Sequence, residues 1–202
     1  MSRQQHPTRI ARYVCALVCL AALWGPSASA EAATDGGAKQ VVLAQADAAT
    51  PFAARSGLQV GLVASDTVGS ENIASATSSN CTGCRANAVA LQAVIVTSDP
   101  SMFVPKNVAV ASNANCTACT SFAYAYQYVV QTDGPVRLSQ SGQAQIAELR
   151  GDAKAVAASD LAPDAMTAEL DQIATRFVTV VQTETLASGH AATGNASRSV
   201  DF

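Results

Sequence analysis

Read for hydrophobic period, the middle of the chain alternates and the later part does not. From residue 72 to residue 100 and again from 107 to 135, small or apolar side chains recur at every second position. That is the period of a strand with one shared face. In the second stretch Phe122, Tyr124, Tyr126, Tyr128 and Val130 form an aromatic stripe of high strand propensity. Residues 86–96 of the first stretch are alanine-rich and also fit a helix. Past Pro135 the period lengthens. Ile146, Leu149, Ala153 and Val156, then Met166, Leu170, Ile173, Phe177 and Val181, recur at spacings of three and four. They predict amphipathic helices over about 139–158 and 163–186, with charged outer faces.

The two alternating stretches are one unit used twice. At an ungapped offset of 35, Asn72/Asn107, Ala74/Ala109, Ala76/Ala111, Asn80/Asn115, Cys81/Cys116, Thr82/Thr117 and Cys84/Cys119 coincide. The match runs on through Ala88/Ala123, Ala90/Ala125, Gln92/Gln127, Val94/Val129, Thr97/Thr132 and Pro100/Pro135. Such a match marks a duplication. Each copy reads as strand, C-x-x-C turn, strand. The expected fold is α+β: two tandem C-x-x-C β-hairpins form a small antiparallel sheet, and two C-terminal amphipathic helices cover it. In this reading the aromatic stripe covers the core beneath a helix, the alternative being an exposed platform for a ligand.

The flanks read differently. Residues 1–30 have the form of a secretory signal, with Arg3, Arg9 and Arg12 before an apolar run and Ala28-Ser29-Ala30 as cleavage box. Residues 31–55 read as a flexible linker with a short strand near 40–43, residues 56–187 as one domain, and 188–202 as a disordered tail. Removing the signal leaves nine basic residues against fifteen acids, a net charge of about −6. An acidic surface without a basic run argues against nucleic-acid binding. No second apolar segment reaches spanning length, so stable membrane insertion after cleavage is not expected. The expected location is secreted or extracytoplasmic, and the expected partner a protein or cell-envelope component.

Cys81, Cys84, Cys116 and Cys119 carry the candidate chemistry. An oxidising compartment favours disulfides. Bridging within each C-x-x-C needs no coincidence of the two turns in space; bridging across the copies closes a longer loop but needs Cα atoms within about 7 Å. Local pairing is the favoured one. As metal ligands the same four thiolates would suit zinc, although the 31 residues between the pairs exceed the usual ribbon spacing. A thioredoxin-like role would need a strong apolar strand before the first cysteine, where residues 75–80 are polar. His190 is the only histidine past the leader and lies in the tail, so Ser-His-Asp or Cys-His catalysis has no base. No cofactor is expected, zinc being the alternative. Asn80 and Asn115, each before a cysteine, read as turn formers.

The pattern N-x-A-x-A, C-x-x-C, A-x-A-x-Q-x-V, carried by residues from Asn72 to Val94 and from Asn107 to Val129, resembles a group of exported bacterial proteins of unknown activity. Similar repeats there stand alone or are appended to zinc-metallopeptidase-like membrane proteins. The likeness covers roughly residues 70–185 and implies bacterial origin and export. It implies no enzymatic activity, since the metallopeptidase motif is absent from this sequence.

Overall fold

The structure, a computed structural model, describes residues 37–202. The signal-peptide reading and the start of the linker reading therefore lie outside the described residues. Seven strands and two helices follow in the order β1 (Lys39–Ala46), β2 (Phe52–Val63), β3 (Thr67–Thr82), β4 (Arg85–Val96), β5 (Met102–Thr117), β6 (Thr120–Thr132), α1 (Gln140–Ala157), α2 (Pro163–Ala187) and β7 (Ala192–Asp201). Residues 86–96, ambiguous between strand and helix, are part of β4.

The strands do not pair as the sequence predicts. Strands β1 to β6 part by odd and even number into two sheets, and β7 joins the even one, giving the orders β1-β3-β5 and β2-β4-β6-β7. All pairings among β1 to β6 are parallel. The two arms of each C-x-x-C unit lie in opposite sheets, and the turn between them is an arch, not a hairpin. Each arm pairs with its own equivalent in the next copy: Asn72 with Asn107, Cys81 with Cys116, and Ala88 with Ala123, Gln92 with Gln127. This is a two-sheet parallel β-solenoid of three coils, and it replaces the predicted small antiparallel sheet. The physical reason is in the repeat itself. An ungapped offset lets identical side chains stack in register along the coil axis, and a hairpin would place those pairs far apart.

The first coil was not visible as a repeat. Its strands β1 and β2 occupy much of the span read as linker, and they pair with β3 and β4 at offsets of 32 and 33 (Lys39 with Glu71, Phe52 with Arg85). The tail reading is likewise corrected. Residues 192–201 form β7, which runs antiparallel along β6 from Thr132–Ala192 to Ala123–Asp201.

Two layers of packing hold the solenoid. Between the sheets lies an alanine layer: Ala44, Ala46, Ala53, Ala74, Ala76, Ala86, Ala88, Ala90, Ala123 and Ala125 are all buried. Small side chains let the backbones approach closely. A Cβ built on Gly61 of β2 would lie 2.7 Å from the Cβ of Ala38. An Ala88→Leu variant is accordingly expected to lose about 1–3 kcal/mol through overpacking. Thermal unfolding measures it, and an unchanged midpoint would mean the layer has room to spare.

On the other face of the second sheet, Val89, Leu91, Ile95, Phe122, Tyr124 and Tyr128 pack with Ile146, Leu149, Met166, Leu170, Phe177 and Val181 of the helices. The helices cover this face because their apolar positions recur at helical spacing and need an apolar partner. The aromatic stripe is thus core beneath a helix. The Ser139 side chain accepts from the Gly142 amide at the start of α1 and donates to the buried Glu184 of α2. That joins the N-terminus of one helix to the end of the other.

Polar ladders run through the same stack. The Gln40 amide donates to Asn72 (3.2 Å), Asn72 to Asn107 (2.9 Å), and Asn107 to the Ser197 carbonyl (2.9 Å). In the second sheet Gln127 donates to Gln92 (2.8 Å). Buried amides in a dry layer are tolerated because each coil supplies the next coil's partner. The ladder ends imperfectly: Oε1 of Gln127 is buried without a hydrogen-bond partner.

Candidate functional site

The three arches between the sheets stack along one edge of the solenoid. In the first coil, the Asp47 carboxylate accepts from the amides of Ala49 (2.9 Å) and Thr50 (2.7 Å), a side-chain-mimicked turn. In the second and third coils cysteines take over. Asn80 and Asn115 adopt positive φ (53° and 52°), the conformation that asparagine tolerates best among residues with a Cβ. Both lie inside β3 and β5, where the register skips them, so they bend the strand ahead of the arch and are not part of the turn itself. Gly83 also has positive φ (68°), while its equivalent in the third coil is Ala118 at 53°. The arches bond to one another through the backbone, with the Gly83 amide on the Thr117 carbonyl (2.9 Å) and the Arg85 amide on the Pro51 carbonyl (2.9 Å).

The structure pairs Cys81 with Cys84 and Cys116 with Cys119, with S–S distances of 2.18 and 2.00 Å. Stacking of the arches then brings the two bridges together. Sγ of Cys81 lies 3.4 Å from Sγ of Cys116 and 3.8 Å from Sγ of Cys119. Sγ of Cys84 points the other way, 3.4 Å from the Asp47 carbonyl oxygen, and Cys84 is buried. The sulfurs of Cys81, Cys116 and Cys119 all lie within 4.8 Å of one another, a group that could hold a metal ion. Thiolate ligands are the set that suits zinc, and they become available only when the bridges are reduced. A shallow groove of about 380 Å³ runs beside the arches, lined by Pro51, Phe52, Gly83, Cys84, Arg85, Ala118 and Thr120. Arg85 stacks 4.4 Å over the Phe52 ring and pairs with Asp160 at 2.7 Å.

Other titratable groups sit away from the sulfurs. His190 contacts Asp133 at 3.0 Å, past the far end of β6 from Cys119. Two further hollows, of about 430 and 230 Å³, lie at that far end and contain no cysteine. Tyr124 donates to Asp171 (2.8 Å), which also pairs with Arg198. Burial, then the bond to Asp171, pushes the Tyr124 phenol well above its ordinary range. This cluster ties β6, α2 and β7 together.

Among the described residues no helix packs on the outer face of the first sheet. Its register columns are Lys39–Glu71–Lys106, Val41–Ile73–Val108, and Leu43–Ser75–Val110. Val41, Leu43 and Val110 are 43 %, 57 % and 44 % exposed. Hydrogen bonds from Lys39 and then Lys106 hold the Glu71 carboxyl below its usual range. Among the described residues no helix is long and apolar enough to cross a membrane.

Sequence reading located all four cysteines and missed the residue that faces them, Asp47. The first coil carries no C-x-x-C, and only the register of β1 and β2 shows that its turn is the third member of the stack. No family model, curated protein or solved structure matches this chain.

Proposed function

We propose that the chain is a secreted, non-enzymatic solenoid module, stapled by its cysteines, with a structural or binding role toward a protein or cell-envelope partner. The observation that supports it is the place of the cysteines. They sit on stacked turns and are paired within each arch, with Cys84 buried and its sulfur 3.4 Å from the Asp47 carbonyl oxygen. Sulfurs so arranged close the ends of coils and leave the flat face of β1, β3 and β5 for interaction. Export follows from the leader and from the oxidising chemistry that two bridges require.

Intact-mass measurement on protein expressed with its leader tests this reading. The expected product is extracytoplasmic, begins at residue 31, and weighs four hydrogens less than its reduced form. Cytoplasmic protein with free thiols would overturn it. A second reading, a zinc-binding protein, is favoured by the grouping of Cys81, Cys116 and Cys119 within 4.8 Å. Zinc retained in the native spectrum, with free thiols after denaturation, would favour that reading over the first.

A further inference from the structure

Cys81 is the point at which the two bridges touch. Both sulfurs of the Cys116–Cys119 bridge contact its Sγ, at 3.4 and 3.8 Å. Cys81 and Cys116 are also register partners on adjacent parallel strands. Such partners have Cα atoms roughly 4.8 Å apart, inside the range of about 4.4–6.8 Å that disulfides span. A bridge between coils is therefore within Cα reach, and the two sulfurs already lie 3.4 Å apart. The far sulfur of the first bridge has a place prepared for it, since Sγ of Cys84 lies 3.4 Å from the Asp47 carbonyl oxygen.

We propose that the stacked arches form a disulfide-exchange relay with Cys81 as its junction. An external dithiol reduces Cys116–Cys119, whose residues are both half-buried, and is itself oxidised to a disulfide. The Cys116 thiolate then attacks Sγ of Cys81. The Cys81–Cys84 bond breaks, the Cys81–Cys116 bond forms, and the electron pair leaves with Cys84. The Cys84 thiolate takes up the proton that Cys116 gave up, and its S–H then donates a hydrogen bond to the Asp47 carbonyl oxygen. The second step is an exchange with no net oxidation, and its rate depends on the thiolate attacking along an open approach. The new bridge joins residues 35 apart in sequence where the old one joined residues 3 apart. The longer loop takes more freedom from the unfolded chain, so the exchanged form is the more resistant to unfolding. The relay goes beyond a purely structural role, and its partner class is a dithiol.

Trypsin makes the exchange directly visible. Cleavage after Arg55, Arg85, Lys106 and Arg137 puts Cys81 and Cys84 on peptide 56–85, and Cys116 and Cys119 on peptide 107–137. The oxidised full-length protein is treated with one equivalent of dithiothreitol under native conditions, quenched with acid and N-ethylmaleimide, and digested. The expected product is peptide 56–85 disulfide-linked to 107–137, with one maleimide on each. One-bridge species in which every disulfide stays within a single peptide would overturn the proposal. A Cys84→Ser/Cys119→Ser double variant supplies a second reading. Held in contact, its two remaining thiols should close the cross-coil bridge at least about tenfold faster in native buffer than in concentrated guanidinium. Equal rates would also overturn it.

Discussion

Phe177→Ala is expected to destabilise the protein by about 3–5 kcal/mol, the range for removing a fully buried aromatic. Phe177 projects from α2 with no exposed surface, into the cluster that contains Tyr124, Leu91 and Ile95 of the second sheet. Nothing in an alanine-lined solenoid compensates for its loss. The sheet-to-sheet layer is built of small side chains, so the large apolar groups are concentrated under the helices. The variant leaves a cavity at that junction, and the rigid strands β4 and β6 on one side limit its collapse. Urea unfolding measures the effect, with exposed Gln172 replaced by alanine as the control on the same helix. Equal midpoints for the two variants would show that α2 is not docked as described.

Reducing both disulfides is the second large effect. Each bridge spans three residues in sequence, and a closed loop of about four residues is worth roughly 2 kcal/mol in the chain-entropy account. Losing both should cost about 4 kcal/mol if they act independently. The arches touch, so departure from a simple sum is itself informative. Denaturant titrations of oxidised and fully reduced, alkylated protein give the comparison, with far-UV circular dichroism confirming that the strands persist before unfolding. No drop in midpoint on reduction would remove the stapling role from the cysteines.

Much of the solenoid was legible as local pattern. Alternation at residues 72–76 and 88–94 marked the strands and their shared small face, and the spacing of Met166, Leu170, Ile173 and Phe177 marked a helix where α2 lies. What a period of two cannot give is the partner. A strand–turn–strand pattern is the same whether its arms bond to each other or face each other across a layer. The clue was present in the kind of identity. Asn72 and Asn107, or Gln92 and Gln127, are buried amides that can be satisfied by stacking on themselves. Shared polar residues on an otherwise small apolar face are the mark of a ladder.

Two elements were hidden for separate reasons. The first coil carries no cysteines and pairs at an offset two or three residues shorter, so Gln40 stands where the later coils have asparagine and no ungapped match runs through it. Strand β7 has almost no apolar side chains to alternate. It is specified by backbone bonds to β6 and by a few polar tips, which leave no hydrophobic signature.

Those polar tips do more than hold a strand in place. Ser199 and Asp201 accept from the amides of Ala109 and Ala111 on β5 (3.1 and 2.8 Å), while the backbone of β7 occupies the edge of β6. One reversed strand thus covers the edge of β6 and caps part of the edge of β5 beside it. A stack of like coils has no inherent length: any open terminus is a template on which a neighbouring molecule can continue the series, and growth of that kind ends in fibrils. An antiparallel segment breaks the translational symmetry on which such growth depends. Strand β7 acts as a terminator beside the third of the described coils.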